Sequence, residues 1–256
     1  MSDVRLIHGN SARMAEVADD EATLILTSPP YFSDADESRL RQGGLRDSEI
    51  DVLDTKIREF AYEQRPVFAE CVRVLSPVGA LVLQTRDVRL GERLVGIEGI
   101  HRSLLEALGL ILVSRHCWRP AFKTRKRTSK DLSDRNRGMP HPFDCEVFLV
   151  FKFAQSISSR RISPEDAALL ESDILVTPKG KIPQPHRFQA PVPLLEVFVR
   201  SFSDPGDLIV DPYAGGGTTL IVAYTMGRRA IGYEIDAGIV EQAQRNLAQR
   251  RKGDHA

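Results

Sequence analysis

A short apolar run, Leu208-Ile209-Val210, drives straight into Asp211-Pro212-Tyr213-Ala214-Gly215-Gly216-Gly217-Thr218-Thr219. Glycines in such a turn let backbone approach a ligand where a Cβ would block it. Thr218 to Met226 then shows helical apolar spacing, Ala230 to Tyr233 reads as a strand, and Glu234 closes it. The unit is βαβ, which demands parallel strands with helices on the sheet faces. The first N–H groups of its helix favour anionic ligand groups. An acidic residue about 20 residues beyond the glycines suits the two hydroxyls of a ribose. The unit therefore suits a nucleoside-containing ligand. It carries neither the Gly-Lys-Ser/Thr of a phosphate loop nor the Gly-x-Gly-x-x-Gly spacing of NAD or FAD sites. A tight turn without a ligand is the alternative on this segment alone.

The rest of the chain repeats the alternation. Val4 to His8 and Leu24 to Thr27 read as strands, and a helical pattern runs from about Ile50 to Leu75 until Ser76-Pro77-Val78-Gly79 ends it. Ala80 to Gln84 is a strand, His101 to Leu108 a helix, and Leu110 to Cys117 and Val147 to Phe153 two more strands. Val192 to Phe202 and Ala237 to Arg250 are helical. The pattern predicts an α/β fold, a mostly parallel central sheet with helices on both faces, with room for two antiparallel pairs near the middle. At 256 residues, 42% apolar and 27% charged, the chain suits one globular domain over 1–256. Residues 33–50 read as a mobile loop and 154–185 as a small insertion.

A second turn carries chemistry. Thr27-Ser28-Pro29-Pro30-Tyr31-Phe32 follows a buried strand directly. Two prolines stiffen the turn and remove two donors, leaving the Ser28 hydroxyl and nearby carbonyls as acceptors. Tyr31 adds a flat aromatic face. A nucleobase amino group needs acceptors for its two N–H groups and a surface to stack on, and in duplex DNA it is reached by base flipping. Both turns lie at C-terminal ends of predicted parallel strands, the edge where ligands collect. A rigid loop without function is the plainer reading of this turn alone.

Together these segments resemble the S-adenosylmethionine-dependent amino-methyltransferases of DNA, which act on cytosine N4 or adenine N6. Thr27 to Tyr31 matches the family's catalytic motif and Asp211 to Thr219 its cofactor motif. Weaker matches are Gly9-Asn10, Glu234-Ile235-Asp236 and His186 to Pro191, with Trp118 and Glu146 to Lys152 after the catalytic half. The resemblance implies a Rossmann-like methyltransferase fold in permuted, β-type order, with the catalytic motif first. It implies S-adenosyl-L-methionine as cofactor. Glu234 with Ile235 would meet the ribose, and Asp211, Tyr213, Ala214, Gly215, Gly217, Thr218 and Thr219 the methionine end. Phe188 and Pro191 would wall the site. Asn10 stands where the family more often has Asp facing the adenine amino group.

By the same resemblance, Ser28, Pro29, Pro30 and Tyr31 are the catalytic set. Ser-Pro-Pro-Tyr is associated with cytosine N4 and Asp-Pro-Pro-Tyr with adenine N6, so cytosine N4 is the favoured target and adenine N6 the alternative. Cytosine C5 chemistry needs a nucleophilic cysteine. Cys71, Cys117 and Cys145 follow Glu70, His116 and Asp144, not the proline typical of that family. Methylation of an RNA amino group, a non-catalytic nucleic-acid-binding protein and a nucleotide-dependent oxidoreductase are further alternatives. The last leaves the Ser28 turn unexplained.

Lys+Arg and Asp+Glu both number 35, which excludes a generally polycationic protein. The balance hides one basic stretch within 115–140: Arg115, Arg119, Lys123, Arg125, Lys126, Arg127, Lys130, Arg135 and Arg137. Such a cluster suits the phosphates of duplex DNA without reading sequence, or is simply a solvated loop. The short candidate recognition segments leave a homodimer or partner as a way to read a target. His116-Cys117 and His141 with Cys145 fit no zinc spacing, and no metal is expected. Three cysteines, no long apolar run and no leader pattern point to a cytoplasmic protein, and the resemblance implies a restriction–modification setting.

Overall fold

A computed structural model describes residues 3–30, 32, 47–90, 93–119, 146–156, 162–171, 174–176 and 190–253. Its centre is a sheet built around the apolar runs. In chain order the strands are β1 (Val4–His8), β2 (Ala22–Thr27), β3 (Leu75–Thr85), β4 (Val88–Leu90), β5 (Arg93–Val95), β6 (Leu110–Arg119), β7 (Glu146–Phe153), β8 (Ile174–Val176), β9 (Leu208–Asp211) and β10 (Arg229–Glu234). The helices are α1 (Asp47–Val74), α2 (Ile97–Ala107), α3 (Pro164–Leu170), α4 (Val192–Phe202), α5 (Thr218–Thr225) and α6 (Ala237–Gly253).

Eight strands make one sheet in the order β1-β10-β9-β2-β3-β7-β6-β8, and β4 and β5 form a separate hairpin. From β1 through β3 the pairings are parallel, and β7 runs antiparallel to both β3 and β6. The antiparallel pairs fall where the sequence left room for them. From β9 the chain crosses to β10 on one side, and from β2 to β3 on the other. The boundary between β9 and β2 is thus a topological switch point, where open α/β sheets form a ligand crevice.

Each face of the sheet carries its own core. One gathers Leu24, Leu26, Val82, Phe148 and Val150 under α4 and α5, with Phe148 stacked on Phe198 at 5.0 Å. The other gathers Ile25, Leu81, Leu83 and Phe151 with Phe68 and Cys71 of α1 and Leu105 of α2. Alternation along β2 and β3 sends neighbouring residues to opposite cores. A third, smaller cluster joins Phe32, Leu53, Val88, Val95 and Ile97 beyond the sheet's end.

Several boundaries differ from the sequence reading. Composition predicts a loop throughout 33–50, yet Asp47 to Ile50 already belong to α1. Ser76-Pro77-Val78-Gly79 does not separate a helix from a strand; β3 starts at Leu75. Gly79 is required there, because a Cβ would lie 2.9 Å from the Thr23 carbonyl. Within 154–185, the described residues are tied to the main fold. β8 pairs with β6 at the sheet edge, and Asp166 of α3 binds Arg200 of α4 at 2.8 Å. Residues 120–145, which hold Lys123, Arg125, Lys126, Arg127, Lys130, Arg135 and Arg137, lie outside the described residues, as do Tyr31 and Phe188.

Candidate active site

β2 and β9 lie side by side and both end at the same edge. Their last residues meet there. Thr27 Oγ1 donates to Asp211 Oδ1 at 2.8 Å, a buried bond between residues 184 positions apart. The Tyr213 backbone N–H donates to the same carboxylate oxygen at 3.1 Å. Burial dominates the Asp211 environment and pushes its pKa up to about 6, against the lowering effect of hydrogen bonds from Thr219, Thr27 and Tyr213. A buried acid held in this way favours a cationic neighbour.

A cavity of about 440 Å³ opens over these strand ends. That size suits a small-molecule ligand. Ser28, Pro29 and Pro30 line one part; Asp211, Tyr213, Ala214, Gly215, Thr218 and Thr219 line another. The sheet thus brings the two turns into a single site. Gly217 takes φ 80° at the N-cap of α5, with no side chain capping that helix. Its first N–H groups are therefore available to an anionic group. On the strand behind, Gly232 passes close under the turn: a Cβ there would lie 2.8 Å from Ala214 Cβ.

Other expected residues sit at the margin. Glu234 Oε2 accepts from the Gly215 N–H at 3.1 Å and its Oε1 from the Asp236 N–H at 2.9 Å. The carboxylate that the sequence suggested for ribose thus also braces the glycine turn. Asn10 Oδ1 accepts from the Ala12 N–H at 2.8 Å, and Gly9 N donates to the Glu234 carbonyl at 3.0 Å, so Asn10 stands beside Glu234. Ile235 follows at 69% exposure. None of Asn10, Glu234 or Ile235 lines the cavity. Pro191 caps α4, and its neighbour Ala190, rather than Pro191 itself, reaches the cavity wall. Arg119 ends β6.

The structure adds residues to which the sequence reading gave no role in the site. Gln84, Phe148, Leu195 and Ile239 also line the cavity. Tyr213 Oη donates to Gln64 Oε1 of α1 at 2.6 Å, which ties the glycine turn to the opposite face of the sheet. Phe32 is buried at 5% exposure and meets the Phe60 ring edge-on at 5.6 Å. It plugs the residue after Tyr31 into the third cluster. A polar residue near the end of a buried strand, as Gln84 is in β3, was a usable signal; Phe32 and Gln64 gave none.

Among the described residues, no three His, Cys, Asp or Glu side chains gather as a metal site. No described helix is long and apolar enough to cross a membrane.

The chain matches the model of a DNA methylase family over residues 22–245. The type II methyltransferase M.HpaI of Haemophilus parainfluenzae is 26% identical over 254 residues, 96% of this chain and 74% of that protein. Among solved structures, the DNA modification methylase TTHA0409 of Thermus thermophilus, in complex with S-adenosyl-L-methionine, has a TM-score of 0.70 at 23% identity, covering 98% of this chain and 94% of that one. The PvuII DNA methyltransferase, cytosine-N4-specific, has a TM-score of 0.71 at 15% identity, covering 98% and 92%. At those identities the structural likeness speaks for the shared fold.

Proposed function

The chain belongs to that DNA methylase family, and from this premise we propose that it moves a methyl group from S-adenosyl-L-methionine to the exocyclic N4 of a flipped cytosine in duplex DNA. The observation that carries the reading is the buried Thr27–Asp211 bond, which holds Ser28 and the glycine turn on one cavity. The residues fit the cofactor. Asp211 supplies buried negative charge near a sulfonium, the open N-terminus of α5 suits the methionine carboxylate, and Glu234 with Asn10 and Ile235 forms the nucleoside end. The order of the two motifs, with β2 before β9 in the chain and beside it in the sheet, supports the permuted, β-type arrangement.

When bound, the cofactor supplies a methyl group made electrophilic by its sulfonium. The chain must make a poor nucleophile better, because the amino lone pair is delocalised into the base ring. The Ser28 hydroxyl and the Pro29 carbonyl accept the two amino N–H bonds, which draws the nitrogen toward tetrahedral geometry and localises its lone pair. The prolines keep those acceptors fixed. Tyr31 stacks on the flipped base, and Phe32 anchors the turn behind it. Fixing the amino group against the cofactor site accounts for much of the rate.

Ser28 in place of an aspartate is what favours cytosine. The basic residues of 115–140 follow the phosphate backbone, and a homodimer broadens the surface that reads the target. With this reading goes a cytoplasmic location and the restriction–modification setting of its relatives.

The test is transfer from methyl-labelled S-adenosyl-L-methionine to mixed unmethylated duplex DNA, with RNA present as a competing substrate, followed by digestion to nucleosides. Label in N4-methylcytosine is expected. Label in N6-methyladenine would keep the reaction and overturn the base. Label in RNA alone, or none with cofactor bound, would overturn the substrate.

A further inference from the structure

The two turns are joined at their roots and again from behind. The β2–β9 register runs through Ile25 and Val210, and the Thr27–Asp211 bond follows it. Beyond that bond the turns line different parts of the cavity. Each then reaches back to the same helix. Tyr213 Oη donates to Gln64 Oε1 of α1 at 2.6 Å, and Phe32 meets the Phe60 ring edge-on at 5.6 Å. Burial pushes the Tyr213 pKa up, so the hydroxyl stays protonated and keeps its donor.

Phe60, Gln64 and Phe68 follow one another at intervals of four, which sets them along one face of α1. That face is itself anchored. The His101 ring of α2 lies 5.8 Å from Phe60 and 5.5 Å from Phe68, and its Nδ1 shares a 2.9 Å hydrogen bond with Thr85 Oγ1 at the end of β3. Gln64 is buried, and it does not line the cavity. A buried amide is costly unless it is bonded, and here its oxygen receives the glycine turn. Methyl transfer needs sulfur, methyl carbon and amino nitrogen in line, and a misplacement of about 1 Å can cost roughly a hundredfold in rate.

We propose that Gln64 and Phe60 are positioning residues for the transfer step: the face of α1 that carries them fixes the separation between the cofactor turn and the base turn. The inference rests on the DNA amino-methyltransferase reading and deepens it, whichever of the two bases is the target. Gln64 holds the glycine turn through Tyr213, and Phe60 holds the Ser28 turn through Phe32. Neither acts by touching a ligand. A tie released at one end holds nothing at the other, so cutting both ends costs no more than cutting one.

The test uses the full chain, labelled S-adenosyl-L-methionine and unmethylated genomic DNA. Gln64→Met keeps the length of the side chain and removes the acceptor; Phe60→Leu keeps an apolar side chain and removes the ring. Each is expected to lower the single-turnover rate per folded molecule roughly three- to tenfold, with the Kd values for cofactor and DNA within about twofold of wild type. A merely structural role would lower Tm and leave that rate unchanged. The double variant should lose no more than the worse single one, whereas independent sites would multiply their losses. A wild-type rate in either single variant overturns the proposal. So do multiplied losses in the double variant, or a fall in cofactor affinity that matches the fall in rate. If Gln64→Met does not fold, Tyr213→Phe takes its place, because it deletes only the hydroxyl. A wild-type chain that labels no DNA overturns the underlying reading, whereas an active wild type indifferent to these changes overturns this inference alone.

Discussion

Asp211 is held inside the fold at a cost. Its pKa is raised to about 6 by burial, above the ordinary 3.8. The folded state therefore binds a proton more readily than the unfolded chain. That contribution to stability is complete below about pH 4 and is lost as pH rises toward 6. A cation beside the carboxylate reverses the preference. Affinity for S-adenosyl-L-methionine should rise roughly tenfold between pH 5 and 7, and Asp211→Asn should flatten that slope while weakening binding. Calorimetric titration across this range checks it; an unchanged slope in the variant would remove Asp211 from the cofactor site. Ser28 follows Thr27, at the other end of the same bonded unit. Ser28→Ala should lower kcat by roughly ten- to a hundredfold with the cofactor Kd preserved, the mark of an interaction used in the reaction itself. Equal losses in single-turnover rate and cofactor affinity would contradict that role.

Single elements set how much of this could be read beforehand. Ser28 and Asp211 announce themselves because each ends an apolar run in a turn of unusual composition. Gln84 does so weakly, since its neighbours on β7 come from 62 residues further along and only the register of β3 brings them together. The β4–β5 hairpin and β8 have three residues per strand, too short for alternation to show. The third cluster depends on that hairpin, so the burial of Phe32 was not legible. Phe32→Ala should loosen the hairpin and the start of α2. Hydrogen exchange at 88–100 should speed up, and methyl transfer should fall more than cofactor binding. Unchanged exchange there would show that Phe32 does not anchor the turn. Gly232 is the tight point on the other side. Gly232→Ala drives a methyl into Ala214 and Leu220 Cδ1, which lies 2.9 Å from the added atom. It should lower stability by about 1–3 kcal/mol and weaken cofactor binding, measured by denaturant melts and titration; a wild-type melt would mean the turn yields.

At the scale of the whole molecule, charge is balanced while its distribution is not. A protein with 35 basic and 35 acidic residues gains no general attraction to DNA, so under the proposed reading contact with phosphates would fall to the local basic stretch. DNA affinity should fall steeply as salt rises, and neutralising Lys123, Arg125, Lys126 and Arg127 together should flatten that dependence. A slope unaltered by the four changes would move the phosphate contacts elsewhere.

The parallel sheet gives the chain a high proportion of long-range contacts, which slows folding. The Thr27–Asp211 bond spans 184 positions. During synthesis the Thr27–Ser28 turn emerges 184 positions ahead of the Asp211 that bonds to it, and waits for that neighbour. Until then a nascent polypeptide holds only half of the cavity wall. The cleft is complete only once β9 pairs with β2.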